Sequence, residues 1–74
     1  MNKQFVSIVS IYRDGDIANH PFYNYSDAQD KFILCIKESK HEISEDKIEK
    51  AVMLEYYFDS YEETVITICQ KKII

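Results

Sequence analysis

Side chains of residues 4–13 alternate between two faces, and both faces are largely apolar. A period of two indicates a β-strand, and apolar positions on both faces are typical of a central strand. We therefore expect a central strand that is covered on at least part of its second face. One face carries Phe5, Ser7, Val9 and Ile11, and the other carries Val6, Ile8, Ser10 and Tyr12.

The next segment predicts a β-hairpin. Asp14 and Gly15 follow the first strand, and an Asp-Gly pair favours a tight turn because both residues tolerate a positive φ. A second strand should run from Ile17 to about Phe22. Pro21 cannot donate a hydrogen bond to a neighbouring strand, so this second strand is expected at the edge of the sheet.

Residues 25–39, YSDAQDKFILCIKES, predict a helix. Ser26, with Gln29 three positions later, forms a capping-box pattern, and Asp27 suits the first turn. Leu34 lies on the charged side of this helix and is expected to be exposed. The inward face of the predicted helix comprises Ala28, Phe32, Cys35, Ile36 and Ser39.

Residues 43–58 fit two structures. Ser44 followed by two acidic residues is a good helix start, and apolar positions at helical spacing follow it. The second half of the segment alternates as a strand does. We favour a helix over about 45–55 and keep a strand as the alternative.

Residues 64–71 are rich in β-branched side chains and predict a final strand. The element order is then ββααβ, or ββαββ if the preceding segment is a strand. Either order gives a single small α+β domain spanning residues 1–74, with its helices on one face of the sheet. In the last strand, Val65, Thr67 and Cys69 share one face, and Thr64, Ile66 and Ile68 share the other.

Composition limits the classes of partner. The chain has 13 acidic and nine basic residues and a net charge of -4. We expect no direct nucleic-acid binding, because that needs clustered Lys and Arg. No apolar run approaches the roughly 18 residues of a membrane-spanning helix. Cys35 and Cys69 each lie in an apolar run and are expected to be reduced core thiols of a cytoplasmic protein.

The order of the segments resembles that of small proteins encoded by phages and prophages of low-GC bacteria. The pattern consists of a strand, a DGD turn, FYNYSDAQDKF leading into a helix, the acidic segment SEDKIEKA and a last strand. The resemblance covers the whole chain. It implies an accessory protein that binds a host protein, as inhibitors of host defence do, and it assigns no functional residue.

Groups that could carry chemistry are sparse. The two histidines, His20 and His41, have no local spacing with Cys35 or Cys69 that would assemble a zinc site. Cys35 lies on the apolar face of the predicted helix, where a thiol is a poor nucleophile. The chain has no glycine-rich phosphate loop. We expect no enzyme, no cofactor and no metal site.

The stretch 55–63, EYYFDSYEE, combines aromatic and acidic side chains and predicts either a protein interface or the edge of the core beside a solvated loop. In both interpretations Tyr56 and Phe58 face the core and Tyr57 does not. The stretch HPFYNY at 20–25 has a similar composition, and the two would form one tyrosine-rich surface if they meet. Candidate interface residues are Tyr57, Asp59, Tyr61, Glu62, Glu63, Leu34, Tyr23 and Tyr25.

These observations predict a non-enzymatic protein-interaction module that binds a host protein or a second copy of itself. A homodimer could form through Leu34, through the edge strand or through the outer face of the last strand. The alternatives are a small ligand- or metal-binding domain and an acidic DNA mimic.

Overall fold

The computed structural model describes residues 5–38 and 42–72, and their element order is ββααββ. The four strands form one antiparallel sheet with the order β2-β1-β4-β3. The predicted α+β class is confirmed, with an N-terminal hairpin and both helices on one face of the sheet. The elements are β1 (Phe5–Arg13), β2 (Asp16–Phe22), α1 (Tyr25–Lys37), α2 (Glu45–Leu54), β3 (Tyr56–Asp59) and β4 (Thr64–Lys72).

The β1–β2 hairpin forms as the sequence predicts. Asp14 and Gly15 have φ values of 53° and 82° and join a strand pair that closes at Arg13 and Asp16. Two consecutive positive φ values match the twist of the flanking strands. β2, which contains Pro21, lies at the edge of the sheet, and β1 is a central strand, so both of these predictions are confirmed.

Helix α1 begins at Tyr25, with Asn24 as its N-cap residue and no side-chain hydrogen bond at the cap. The predicted capping box of Ser26 and Gln29 is therefore wrong. The helix begins earlier than a Ser26 cap would allow, and its first residue, Tyr25, packs against the core. Ala28, Phe32, Cys35 and Ile36 are buried as predicted, and Leu34 is exposed; Ser39 lies outside the described residues.

The segment 43–58 contains both predicted elements, a helix and then a strand, so the order ββααββ has one strand more than ββααβ and one helix more than ββαββ. The Ser44 hydroxyl accepts a 3.4 Å hydrogen bond from the Lys47 N–H, and the helix ends at Leu54. Glu55 then adopts a left-handed conformation with φ of 56°. This single residue turns the chain directly into β3, which pairs with β4.

The hydrophobic core lies between the helices and one face of the sheet. Phe32 and Ile36 of α1 are completely buried against the two central strands. Helix α2 covers the neighbouring edge strand β3. The buried apolar residues are Val9, Ala28, Phe32, Cys35, Ile36, Ile48, Ala51, Ile66 and Ile68.

The orientation of β3 is the reverse of the prediction. Tyr57 pairs with Ile66 and packs against the core. Tyr56 and Phe58 point to the opposite face and are 48% and 53% exposed. Because side chains alternate along a strand, the pairing register decides which set is buried, and here it buries Tyr57 and Asp59.

Candidate protein-interaction surface

The sheet face opposite the helices, called the open face here, is not covered by any described element. Strand pairing arranges its side chains in four rows that cross the sheet. The first row is Ile17, Tyr12, Val65 and Phe58; the second is Asn19, Ser10, Thr67 and Tyr56; the third is Pro21, Ile8 and Cys69; and the fourth is Val6 and Lys71.

The first row is the most apolar part of the open face. Ile17 is 60% exposed, and Tyr12 and Phe58 are also exposed although their rings are large. The row spans all four strands. Contiguous exposed apolar surface of this kind marks interaction sites in natural proteins, whereas single exposed apolar residues do not.

Charged side chains avoid the open face. None of the 13 Asp and Glu residues belongs to any of its rows, and within the described part of the chain Lys71 is its one charged residue. Lys71 lies at the end farthest from the first row. The rows themselves thus carry no acidic charge, and the nearest acidic side chains, Asp14, Asp16 and Glu63, lie beside the end of the first row.

The second row is polar, and two of its side chains form a hydrogen bond with each other. The Ser10 hydroxyl donates a 2.7 Å hydrogen bond to the Asn19 side-chain oxygen. Ser10 is buried although it points to the open face, because larger side chains surround it. A partner that covers this row would therefore not leave the Ser10 hydroxyl without a hydrogen bond.

Two sequence predictions fail at the open face. The second face of β1 was expected to be partly covered, and Cys69 was expected in the core, but both lie on the open face and Cys69 is exposed. The physical reason is that both helices of the described chain pack on one side of the sheet, so the other side stays in solvent. The sequence did contain a signal for the exposed face. β1 and β4 carry apolar residues on both faces of the sheet, whereas two short helices can cover only one face.

The predicted interface residue Asp59 is 3% exposed and organises the β3–β4 loop of residues 60–63. Its carboxylate accepts hydrogen bonds from the N–H groups of Tyr61, at 2.9 Å, and Glu62, at 3.3 Å. At the end of the loop, the Thr64 hydroxyl donates to the Glu62 carbonyl at 3.1 Å and accepts from Arg13 Nε at 3.0 Å. The loop is thus fixed at both ends by buried polar groups.

The aromatic residues of this stretch border a shallow cleft between α2 and β3. The cleft has a volume of about 320 Å³. Tyr57 and Leu54 contribute apolar surface, and Lys47 and Lys50 contribute positive charge. Tyr61 lies at the same cleft and is 85% exposed. Glu62 and Glu63 belong to the loop and lie outside the cleft lining.

The two aromatic stretches do not form one surface. Tyr23 follows β2 at one edge of the sheet, whereas Tyr57 and Tyr61 belong to the β3 edge. A hydrogen bond links the stretches at one point, where the Tyr25 hydroxyl donates to Glu55 Oε2 at 2.8 Å. This bond raises the pKa of Tyr25, and burial and the Glu55 charge act in the same direction. Leu34 is exposed on α1, on the helical side of the molecule.

The cysteine and histidine side chains do not converge on a site. Cys35 is buried, and burial raises the pKa of its thiol. His20 is half-buried on β2, on the face that carries the helices, and His41 lies outside the described residues. Over residues 5–38 and 42–72, no three His, Cys, Asp or Glu side chains are grouped to hold a metal ion. In the same ranges no helix is long and apolar enough to cross a bilayer.

Comparisons with protein-family models, with curated proteins and with solved structures gave no match.

Proposed function

We propose that this protein is a non-enzymatic protein-interaction module and that the open face of its sheet is the docking surface. The observation that carries the proposal is the first row, an apolar strip across all four strands in which Ile17, Tyr12 and Phe58 are exposed and Val65 is half-buried. Burial of apolar area contributes roughly 25 cal/mol per Å². A partner that covers this strip would recover that free energy.

The neutrality of the open face defines the chemistry of its partner. The net charge of -4 would by itself suit a basic partner, but no acidic residue belongs to the rows of this face. A matching surface is therefore apolar and weakly charged. The resemblance to small phage proteins supports either a host protein or a second copy of the chain as the molecule that supplies it.

Photo-crosslinking tests the proposal. A photo-reactive phenylalanine analogue at Phe58 samples the open face, and the same analogue at Met53 is the matched control, because Met53 is 84% exposed on α2. Irradiation in cells of a low-GC bacterium should give discrete protein adducts from position 58 and none from position 53. Equal labelling from both positions, or no adduct from position 58, would contradict the proposal.

The cleft between α2 and β3 supports a second candidate function, the binding of a small anionic aromatic ligand. Its volume of about 320 Å³ is at the lower end of the range for small-molecule sites. Lys47 and Lys50 line the cleft together with Tyr57, so a ligand with an anionic group and an aromatic ring matches its lining. Phenyl phosphate is a suitable probe, with NMR shifts as the readout. Saturable shifts at Tyr57 and Leu54 that Lys50→Ala weakens would support this function, and unchanged spectra would exclude it for this probe.

A further inference from the structure

We propose that the occupant of the open face is a second copy of the chain, packed face to face so that its strands run in the opposite direction. This inference rests on the proposed docking role of the open face. The two-fold axis would lie between the sheets, perpendicular to the strands, and pass through the second row. The product is a sandwich of two four-stranded sheets, and such sheets pack about 10 Å apart.

Charges at the two ends of the open face determine this orientation. A shallow depression beside the first row is lined by Tyr12, Ile17 and Val65 and also by acidic side chains. Lys71 lies at the other end. Opposed strands bring each Lys71 toward the acidic end of the partner, whereas strands in the same direction would bring the two acidic ends together and the two lysines together. The acidic residues that line the depression are Asp14, Asp16 and Glu63.

Arg13 also lines the depression, but its Nε atom donates to the Thr64 hydroxyl. The depression is thus lined by three acidic residues and one arginine, and this end remains acidic. Opposite charges across an interface favour the correct register, and like charges disfavour the alternative.

The rows also match in chemistry in this orientation. The two-fold axis places the first row of one copy over the third row of the other, so apolar residues meet apolar residues. On β1, Tyr12 would lie over Ile8 of the second copy, and on β4, Val65 would lie over Cys69 of the second copy. The polar second row meets itself at the axis, where the Ser10 hydroxyl already has its hydrogen bond to Asn19.

The available area is sufficient for a modest dimer. Strands of nine, seven, four and nine residues form the face. At about 3.3 Å per residue and about 4.8 Å between strands, they cover roughly 460 Å² before side-chain relief is added. Two copies would thus bury on the order of 1,000 Å², the lower limit of a specific interface. The expected dissociation constant is accordingly in the micromolar range, on the order of 1–100 μM.

Sedimentation of the purified 74-residue chain over a wide concentration range tests the dimer. The apparent mass should rise from the monomer value of 8.8 kDa toward twice that value. Ile17→Lys should raise the dissociation constant at least about tenfold, because it would bury a charge in the sandwich. Leu34→Lys, at an exposed apolar residue on α1, is the matched control and should leave the dissociation constant unchanged. Circular dichroism verifies that both variants are folded.

Cys69 provides a second readout that needs no substitution. Its thiol is exposed on the open face, and the buried Cys35 thiol is an internal reference. The labelling rate of Cys69 by a maleimide should fall as the protein concentration passes through the dissociation constant, and that of Cys35 should stay low throughout. A Cys69 rate that does not depend on protein concentration would overturn the inference.

A charge exchange tests the orientation. Lys71→Glu should weaken the dimer severalfold by placing a carboxylate against the acidic end, and adding Glu63→Lys should restore it. If Lys71→Glu leaves the dissociation constant unchanged, the proposed orientation is wrong, because strands in the same direction would replace a Lys71–Lys71 contact by an equally repulsive Glu–Glu contact. If the chain stays monomeric at every concentration, the occupant of the open face is not a second copy of the chain. Adducts of another protein from position 58 would in that case still support the proposed docking role.

Discussion

The Tyr25 hydroxyl donates a 2.8 Å hydrogen bond to the Glu55 carboxylate and so joins the first residue of α1 to the residue that ends α2. Glu55 has a left-handed conformation, and its backbone carbonyl also accepts a 3.1 Å hydrogen bond from the Ile68 N–H of β4. One residue therefore connects both helices and the sheet. Its position between α2 and β3 explains how a helix and a strand can follow each other without a loop.

Removing the hydroxyl of Tyr25 should destabilise the protein. Tyr25→Phe keeps the ring against the core and deletes the hydrogen bond, so the free energy of unfolding should fall by about 1 kcal/mol. Glu55→Gln keeps an acceptor oxygen and should cost less. Urea unfolding measures both, and the double variant should lose less than the sum of the two single losses if the groups interact.

Stability should also depend on pH through Tyr25. The hydrogen bond to Glu55 raises the pKa of Tyr25 above its ordinary value of 10.0. The folded protein thus holds this proton more tightly than the unfolded chain, so the stabilisation is complete below pH 10.0 and is lost as the pH rises through the folded pKa. Urea midpoints measured on both sides of pH 10 should fall more steeply for the wild type than for Tyr25→Phe. Parallel curves would refute this role.

The left-handed conformation of Glu55 predicts that the effect of Glu55→Gly on stability depends on whether the Tyr25 hydroxyl is present. Glycine adopts a φ of 56° without the steric cost that a side chain carries. In a Tyr25→Phe background, Glu55→Gly should therefore stabilise the fold by about 0.5–1 kcal/mol. In the wild-type background the same change also deletes the hydrogen bond, and the net effect should be close to zero. Destabilisation in the Tyr25→Phe background would show that the Glu55 side chain makes other stabilising contacts.

Asp59 should be important for stability rather than for direct contact with a partner. It is 3% exposed, and its carboxylate accepts the N–H groups of Tyr61 and Glu62. Asp59→Ala should lower the free energy of unfolding by about 1–3 kcal/mol and increase hydrogen exchange at these two amides. Asp59→Asn keeps an acceptor oxygen and is the matched control, with a smaller loss. Unchanged exchange at both amides in Asp59→Ala would contradict this role.

Local patterns were sufficient for much of the fold. Asp14-Gly15 predicts the hairpin because both residues tolerate a positive φ, and both have one. Pro21 predicts an edge strand because it lacks an N–H group, and β2 is at the edge. Phe32 and Ile36 at helical spacing identify the buried face of α1. Each of these features depends on a few neighbouring residues, so the sequence is enough to predict it.

The candidate site was not predictable in the same way. Tyr56, Tyr57 and Phe58 are all aromatic, so hydrophobicity alone does not choose which face of β3 is buried. The pairing of Tyr57 with Ile66 makes that choice, and it also buries Asp59. The burial of a carboxylate is tolerated because the loop folds back to donate two N–H groups to it.

The sequence by itself determined the elements, the class of fold and the side of α1 that is buried, because these depend on periodicity and on short-range backbone chemistry. The tertiary structure decided the register of β3, the exposure of Cys69 and the existence of the open face. The physical reason is that β1 and β4 carry apolar side chains on both faces, and the helices in the described chain cover one of them. The face left in solvent is the one we propose as the docking surface.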